Sequence, residues 1–398
     1  MTLAVSDLAR TPNALAPHYS RFRVAHRLLL SGHSHQAWPD VAREGQLAAF
    51  DDAADEVDAK WERAFAQAAR VREGFRRRLA DESGEIALGA NTHELAVRLL
   101  SALPFLERRR IVTTDGEFHT LRRQLARLGE EGFEIHRERA AEADTLAERL
   151  ARAVDDRTLA VFVSAVLFET ARIVPGLAEL AAACALHGVA LVVDAYHALG
   201  AIPFRLAEQR LEGAFVLGGG YKYLQLGEGN CFLRLPPGSA LRPVLTGWYA
   251  EFESLSARSD GHHVVYGPGA SALAGSTYDP TSHYRAARVF DFFEEQGLDD
   301  TLLRAISRHQ IDLLARSFDA LGLSEGVVTR DRDLPLEKLG AFLPFETPRA
   351  AELCNGLLAR GVACDHRGRF LRFGPAPYLC DAQLETAISI LGEVVERL

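Results

Sequence analysis

Apolar positions along the chain fall into short unbroken runs separated by amphipathic stretches. "TLAVFVSAV" (158–166) and "VALVVDA" (189–195) are apolar almost throughout rather than at alternate positions, the pattern of strands covered on both faces. Between them, "VPGLAELAAACALHG" (174–188) puts Leu177, Leu180, Ala181 and Cys184 on one helical face, with Gly188 placed to cap the C-terminus. Strand, helix and strand in this order form a βαβ unit, and hence a parallel sheet. "EIALGANTHELAVRLLSALP" (85–104) predicts a strand, a glycine-containing turn and a helix ending near Pro104. "RRRIVTTDGEF" (108–118) again runs a strand into a polar loop. Residues 41–80 are alanine-rich and helix-prone, with Trp61, Phe65 and Ala69 at helical spacing. Beyond about residue 250 the pattern loosens. It predicts a long helix near 283–318, a strand at "LGAFLPF", a helix near 348–360, a short strand at "RFLRFG" and a last helix. The expected fold class is α/β: a large domain with a mainly parallel sheet over 45–250, and a smaller α+β domain made of 251–398 with the N-terminal segment 1–44.

A length of 398 residues suits two such domains. The net charge of −9 disfavours nonspecific nucleic-acid binding, which calls for a basic face. No apolar run approaches the roughly 20 residues that span a bilayer, and the N-terminus lacks a signal peptide's charged start and apolar core. These features predict a cytoplasmic protein without a membrane or nucleic-acid partner. The five cysteines, at 184, 231, 354, 364 and 380, show no CxxC spacing and read as reduced thiols rather than disulfides or a zinc site. "SGHSH" (31–35) has two histidines but no carboxylate cluster. It is read as a loop over the site rather than a metal centre, and "DGHHVVYGPG" (260–269) as a loop without a ligand.

Chemistry enters with "LVVDAYHALG" (191–200) and "GGGYKYLQLGEGN" (218–230). In open α/β sheets, ligands gather at the carboxyl ends of strands, where Asp194 stands. Lys222 follows in a glycine-rich loop. A lysine that captures a carbonyl must shed its proton easily. A carboxylate facing a pyridine nitrogen keeps that nitrogen protonated, so that the ring can take up electrons. Alone, Asp194 reads as a cap or turn residue and Lys222 as a solvated loop lysine. Together, in this order, they point to a pyridoxal-phosphate site.

The chain resembles the class V, fold-type I pyridoxal-phosphate enzymes, and among them kynureninase most. "DAYHALGAIPFRL" resembles that family's D-L-A-H-A-V-G-N-V, and "GYKYLQLGEGN" its S-Y-K-Y-L-N-x-G-x-G. "LRPVLTGWY" resembles R-P-x-L-x-G-W, and "CDHRGRFLRFGPAPYL" resembles C-D-x-R-x-P-N-G-L-R-V-A-P-V-P-L-Y. The likeness runs in order from about residue 28 to the C-terminus. It implies that Lys222 carries the cofactor, Asp194 faces its ring nitrogen, His197 sits near its phenolic oxygen and Tyr221 donates to its phosphate. It further implies that Phe118 stacks on the ring, and that Asn91, Thr92 and His93 serve the phosphate, a role that helix N-termini also favour. Trp248 and Asp279 would reach the neighbouring subunit of a homodimer. Arg372 would hold the α-carboxylate of an amino-acid substrate through a planar two-donor fork.

Departures from the family pattern fall around the substrate. Its G-N-S-L-G appears as Gly32-His33-Ser34-His35-Gln36, and its S-N-P-P as Tyr278-Asp279-Pro280-Thr281. Of its G-H-E-V-G-K-R-P-W only "DAKW" remains, ending at Trp61. His33 and Tyr278 are therefore expected among the substrate-binding residues, and an amino acid more polar than kynurenine is the expected substrate. The expected reaction is kynureninase-like hydrolytic Cβ–Cγ cleavage. The alternative is transamination or β-elimination by a class V enzyme. No cysteine stands in a loop suited to a desulfurase.

Overall fold

The computed structural model describes residues 3–255 and 263–397. Asp260, Gly261 and His262, in the expected loop at 260–269, lie outside the described residues. The strands are β1 (Leu28–Leu29), β2 (Glu85–Gly89), β3 (Arg110–Thr114), β4 (Glu134–Glu138), β5 (Thr158–Ser164) and β6 (Ala190–Asp194), followed by β7 (Phe215–Gly219), β8 (Cys231–Leu235), β9 (Leu343–Glu346), β10 (Val362–Ala363), β11 (Asp365–Arg367) and β12 (Phe370–Phe373). Seven of them form one sheet in the order β2-β8-β7-β6-β5-β3-β4. Its pairs from β7 to β4 are parallel, while β8 runs antiparallel to both β7 and β2. A parallel crossover takes a dozen or more residues and usually a helix. Residues 220–230 form a loop instead, so the chain turns straight back from β7 into β8, and that loop carries Lys222. β5, β7 and β8 are buried at every position, in keeping with their mainly apolar sequences, Arg234 on β8 apart.

The expected βαβ unit is present: β5, the helix Leu177–Leu186, then β6, with Gly188 in the left-handed region (φ +61°) just past the helix end. The expected long helix near 283–318 is two helices, Thr281–Glu295 and Asp300–Ala320. Gly297 turns the chain at φ +64°, and the Asp299 carboxylate accepts from the Leu302 amide at 2.8 Å, which caps the second helix anew. Residues 41–80 likewise form two helices, Val41–Glu56 and Trp61–Leu79.

A second, antiparallel sheet has the order β11-β12-β9. The N-terminal segment joins this part of the chain, since β1 pairs with β10 and Ser31 bridges to Gly374. That pairing delivers the 31–37 loop to the lysine loop. Tyr19 Oη donates to Gln225 at 2.5 Å, and Gln225 donates to Gln36 at 2.9 Å, all three within the core. Among the described residues no helix is long and apolar enough to cross a membrane.

Candidate active site

The carboxyl ends of β3, β5, β6 and β7 open onto one cluster of buried polar side chains. Asp194 ends β6, and Lys222 lies three residues past the end of β7. Both are nearly inaccessible, at 8% and 5% exposure. Asp194 accepts the Tyr196 amide through Oδ1 at 2.8 Å, and no hydrogen bond within the described residues engages Oδ2. Burial raises the pKa of Asp194, while the Tyr196 amide and Lys222 oppose that rise. Burial likewise pulls Lys222 down to about 7, with Asp194 opposing and Arg372 reinforcing the fall. Lys222 Nζ lies 2.6 Å from His197 Nε2, and the other ring nitrogen of His197 is 3.4 Å from Tyr223 Oη. Burial first, and Lys222 next, keep His197 neutral, so its Nε2 can accept from the lysine.

Aromatic rings wall this cluster. Lys222 Nζ is 5.3 Å from the Phe118 ring centre, 4.9 Å from that of Tyr196 and 5.9 Å from that of Tyr221. Tyr196 Oη and Cys231 Sγ fill the space where a side chain at Gly219 would stand: a Cβ there would meet them at 2.4 and 2.7 Å. The Thr92 amide points at the Cys231 sulfur, which places the start of the helix Thr92–Ala102 at the edge of the cluster. Asn91 caps that helix by accepting from the Glu94 amide at 2.9 Å.

Arg372, on β12, closes the opposite side. Its Nε and Nη2 bind Asp365 at 2.9 and 2.6 Å, and Nη1 donates to the Phe168 carbonyl. Of five N–H donors, one remains on each terminal nitrogen. The fork that was expected to face a substrate is thus half occupied by a carboxylate of the same chain. His33 shares that carboxylate, with Nε2 at 2.7 Å from Asp365. Burial lowers His33 to about 4, so the ring is neutral and donates through Nε2, while its buried Nδ1 has no partner among the described residues.

Within one chain, the remaining expected residues do not join this cluster. Tyr278, Asp279 and His93 line a separate groove of about 1730 Å³. Tyr278 packs edge-on against Trp61 at 5.6 Å, and Asp279 accepts the Thr281 amide at 2.9 Å. Trp248 is exposed beside the same groove. Sequence reasoning missed Tyr196, Cys231, Asp365 and Glu117. Asp365 stands inside the quoted "CDHRGRFLRFG", where pairing with Arg372 becomes visible only once β11 and β12 are in register. Glu117 is buried next to Phe118, and its signal was a carboxylate three residues past the end of β3.

No family model matches the chain. A kynureninase from Bacillus anthracis is 24% identical over 273 residues, covering 64% of this chain and 59% of that protein. The chain thus aligns with rather less than two thirds of that relative's length. A kynureninase from Bacillus cereus ATCC 10987 is 24% identical over 298 residues, covering 72% and 66%. Among solved structures, a lysine-to-alanine mutant of C-DES with glycine covalently linked to its pyridoxal-phosphate cofactor superposes with a TM-score of 0.80 at 16% identity, over 95% of this chain and 98% of that one. The apo cysteine desulfurase of Thermococcus onnurineus superposes with a TM-score of 0.80 at 17% identity over the whole of both chains. In sequence the chain is similar to kynureninase, and its fold is that of the fold-type I pyridoxal-phosphate enzymes. The α/β expectation holds, with β8 reversed between β7 and the edge strand β2 of an otherwise parallel sheet.

Proposed function

We propose that the protein is a pyridoxal-phosphate-dependent enzyme acting on an α-amino acid, with kynureninase-like hydrolysis of a Cβ–Cγ bond as its reaction. The observation that carries this reading is the buried pair of Lys222, poised to lose its proton near neutral pH, and Asp194, with one carboxylate oxygen unengaged, at adjoining strand ends. The donor set fits the group. Lys222 offers the amine, Asp194 a carboxylate for a ring nitrogen, Phe118 a face for the ring, and Thr92 and Tyr221 donors for the phosphate. When bound, pyridoxal phosphate supplies an electron sink for a carbanion at the substrate's Cα.

The chain's own residues do the rest. Lys222 moves the proton at Cα, with neutral His197 as its hydrogen-bond partner at 2.6 Å. Arg372, held by Asp365 and Phe168, presents its two remaining N–H groups to a carboxylate. A β-eliminating lyase is the second reading, and it rests on the likeness to C-DES, which is described as a cystine C–S lyase. A desulfurase that passes sulfur through an exposed cysteine is disfavoured, since all five cysteines are buried.

The test is direct. Protein loaded with pyridoxal phosphate, reduced with borohydride and digested, is expected to carry the label on Lys222, and Lys222→Ala to carry none. A label on another lysine overturns the assignment. Anthranilate release from L-kynurenine, pyruvate release from L-cystine and keto-acid-dependent amino transfer then separate the three reactions.

A further inference from the structure

Glu117 is a carboxylate at 1% exposure that the reading above does not use. It stands at the carboxyl edge of the sheet, between the ends of β3 and β5. Oε1 accepts from Thr114 Oγ1 at 2.7 Å and from the Ser164 amide at 3.1 Å, and Oε2 accepts from Ser164 Oγ at 2.7 Å. All three donors belong to buried groups at strand ends. Ser164 is the register partner of Asp194 on the neighbouring strand, and the next amide, Ala165 N, donates to the Asp194 carbonyl at 2.9 Å. The residue after Glu117 is Phe118, whose carbonyl accepts from Arg122 N at 3.0 Å in the first turn of the helix His119–Glu130. One residue spans at most about 3.6 Å of chain, so a backbone fastened at Glu117 leaves Phe118 little room to move.

Burial drives Glu117 up to about 7, with Asp194 adding to the rise and Ser164 and Thr114 opposing it. Burying a carboxylate is costly, and an apolar side chain would fill the same space. What a carboxylate adds is several acceptor sites on one rigid head. Here they tie a loop to two strand ends at once.

We propose that Glu117 is a positioning residue for the cofactor: by tying the 115–118 loop to Thr114 and Ser164 it holds the Phe118 ring over the site in register with Asp194. The proposal rests on the pyridoxal-phosphate reading, and its test separates the two. Dissociation constants for pyridoxal phosphate would be measured by absorbance titration on the full chain, with thermal melts alongside. Glu117→Ala is expected to weaken binding by about 10- to 100-fold, the scale on which outer partners of a ligating side chain act. Glu117→Gln keeps an oxygen for Thr114 and the Ser164 amide and can donate to Ser164 Oγ, so it is expected to stay within about threefold of the parent. Phe118→Leu is expected to weaken binding, and adding Glu117→Ala to it to cost little more, because one residue acts through the other. Leu391→Ala, in the last helix, serves as a control that lowers stability and leaves cofactor affinity unchanged. If Glu117→Ala does not fold, Glu117→Asp decides, since its shorter arm cannot reach both strand ends.

Parent-like affinity in the Ala or Asp variant overturns the proposal. So does a Gln variant as weak as Ala, which would make the charge rather than the position matter. So does a loss of affinity in Leu391→Ala equal to that in Glu117→Ala. Failure of the parent protein to bind pyridoxal phosphate overturns the cofactor reading itself, and this proposal with it.

Discussion

Lys222 is an amine with three rings, a histidine and a carboxylate around it and almost no water. Its pKa, lowered from 10.5 to about 7, leaves about a tenth of the amine unprotonated at pH 6 and about nine-tenths at pH 8. Only the unprotonated amine attacks an aldehyde, so capture of pyridoxal phosphate should speed up with pH through a midpoint about 7. Stopped-flow absorbance would show this, and a midpoint above about 9 would refute the buried-lysine account. The stability of the cofactor-free protein carries the matching sign. Between the folded and unfolded pKa values the unfolded chain binds the extra proton, so raising the pH across that window removes the penalty of burying Lys222. At the other end of the site, Arg372→Ala should cost roughly 2–5 kcal/mol in kcat/KM on whichever amino acid is turned over. Steady-state kinetics in the three assays above would measure it, and an unchanged kcat/KM would remove Arg372 from the carboxylate site.

The strands work as a comb whose carboxyl tips carry the chemistry, and the comb has to be held in register. One fastening lies well away from the site. Arg234, on β8, is fully buried, binds Asp81 at 2.6 and 3.1 Å through two nitrogens, and donates to the carbonyls of Glu212 and Ala214. Asp81 follows the helix Trp61–Leu79 and leads into β2, so the pair joins helix, β2 and β8. Removing one partner strands a buried charge. Asp81→Asn should therefore lower the unfolding free energy by about 3–5 kcal/mol, read from urea denaturation. Burial acts to raise the pKa of Asp81, but the Arg234 hydrogen bond and neighbouring amides bring it below the usual value. The pair's contribution is thus present above the unfolded carboxylate pKa and lost as pH falls through the folded one. A loss below about 1 kcal/mol in Asp81→Asn would mean that the pair is not a fastening.

At the scale of the whole molecule, a groove of about 1730 Å³ is lined by Val244, Leu245 and Phe252, which are exposed, as well as by Tyr278 and Asp279. Trp248, also exposed, stands beside it. Residues expected to serve a cofactor or substrate thus sit at the surface, apart from Lys222 of their own chain. We expect a two-fold homodimer whose interface covers this groove and brings Trp248 and Asp279 toward the partner's site, burying more than about 2,000 Å² in total. Sedimentation at micromolar concentration should show the dimer. A monomer that keeps full activity at high dilution would exclude it.

The sequence by itself determined the layers of the large sheet and pointed to the residues of the candidate site. Continuous apolar runs at 158–166 and 189–195 could only be strands covered on both faces, and the helix between them made those strands parallel. Asp194 and Lys222 were legible from their places beside strand ends, and His197 and Phe118 only through the resemblance to a known family. The break at Gly297 was missed, because apolar periodicity on both sides of a single glycine reads as one helix. The tertiary structure alone decided which side chains meet across long stretches of chain. His33 shares Asp365 with Arg372, and Glu117 joins Thr114 to Ser164. Such pairings leave no period in the sequence. They arise from strand order and register, where a buried polar group must find whichever partner the sheet brings beside it.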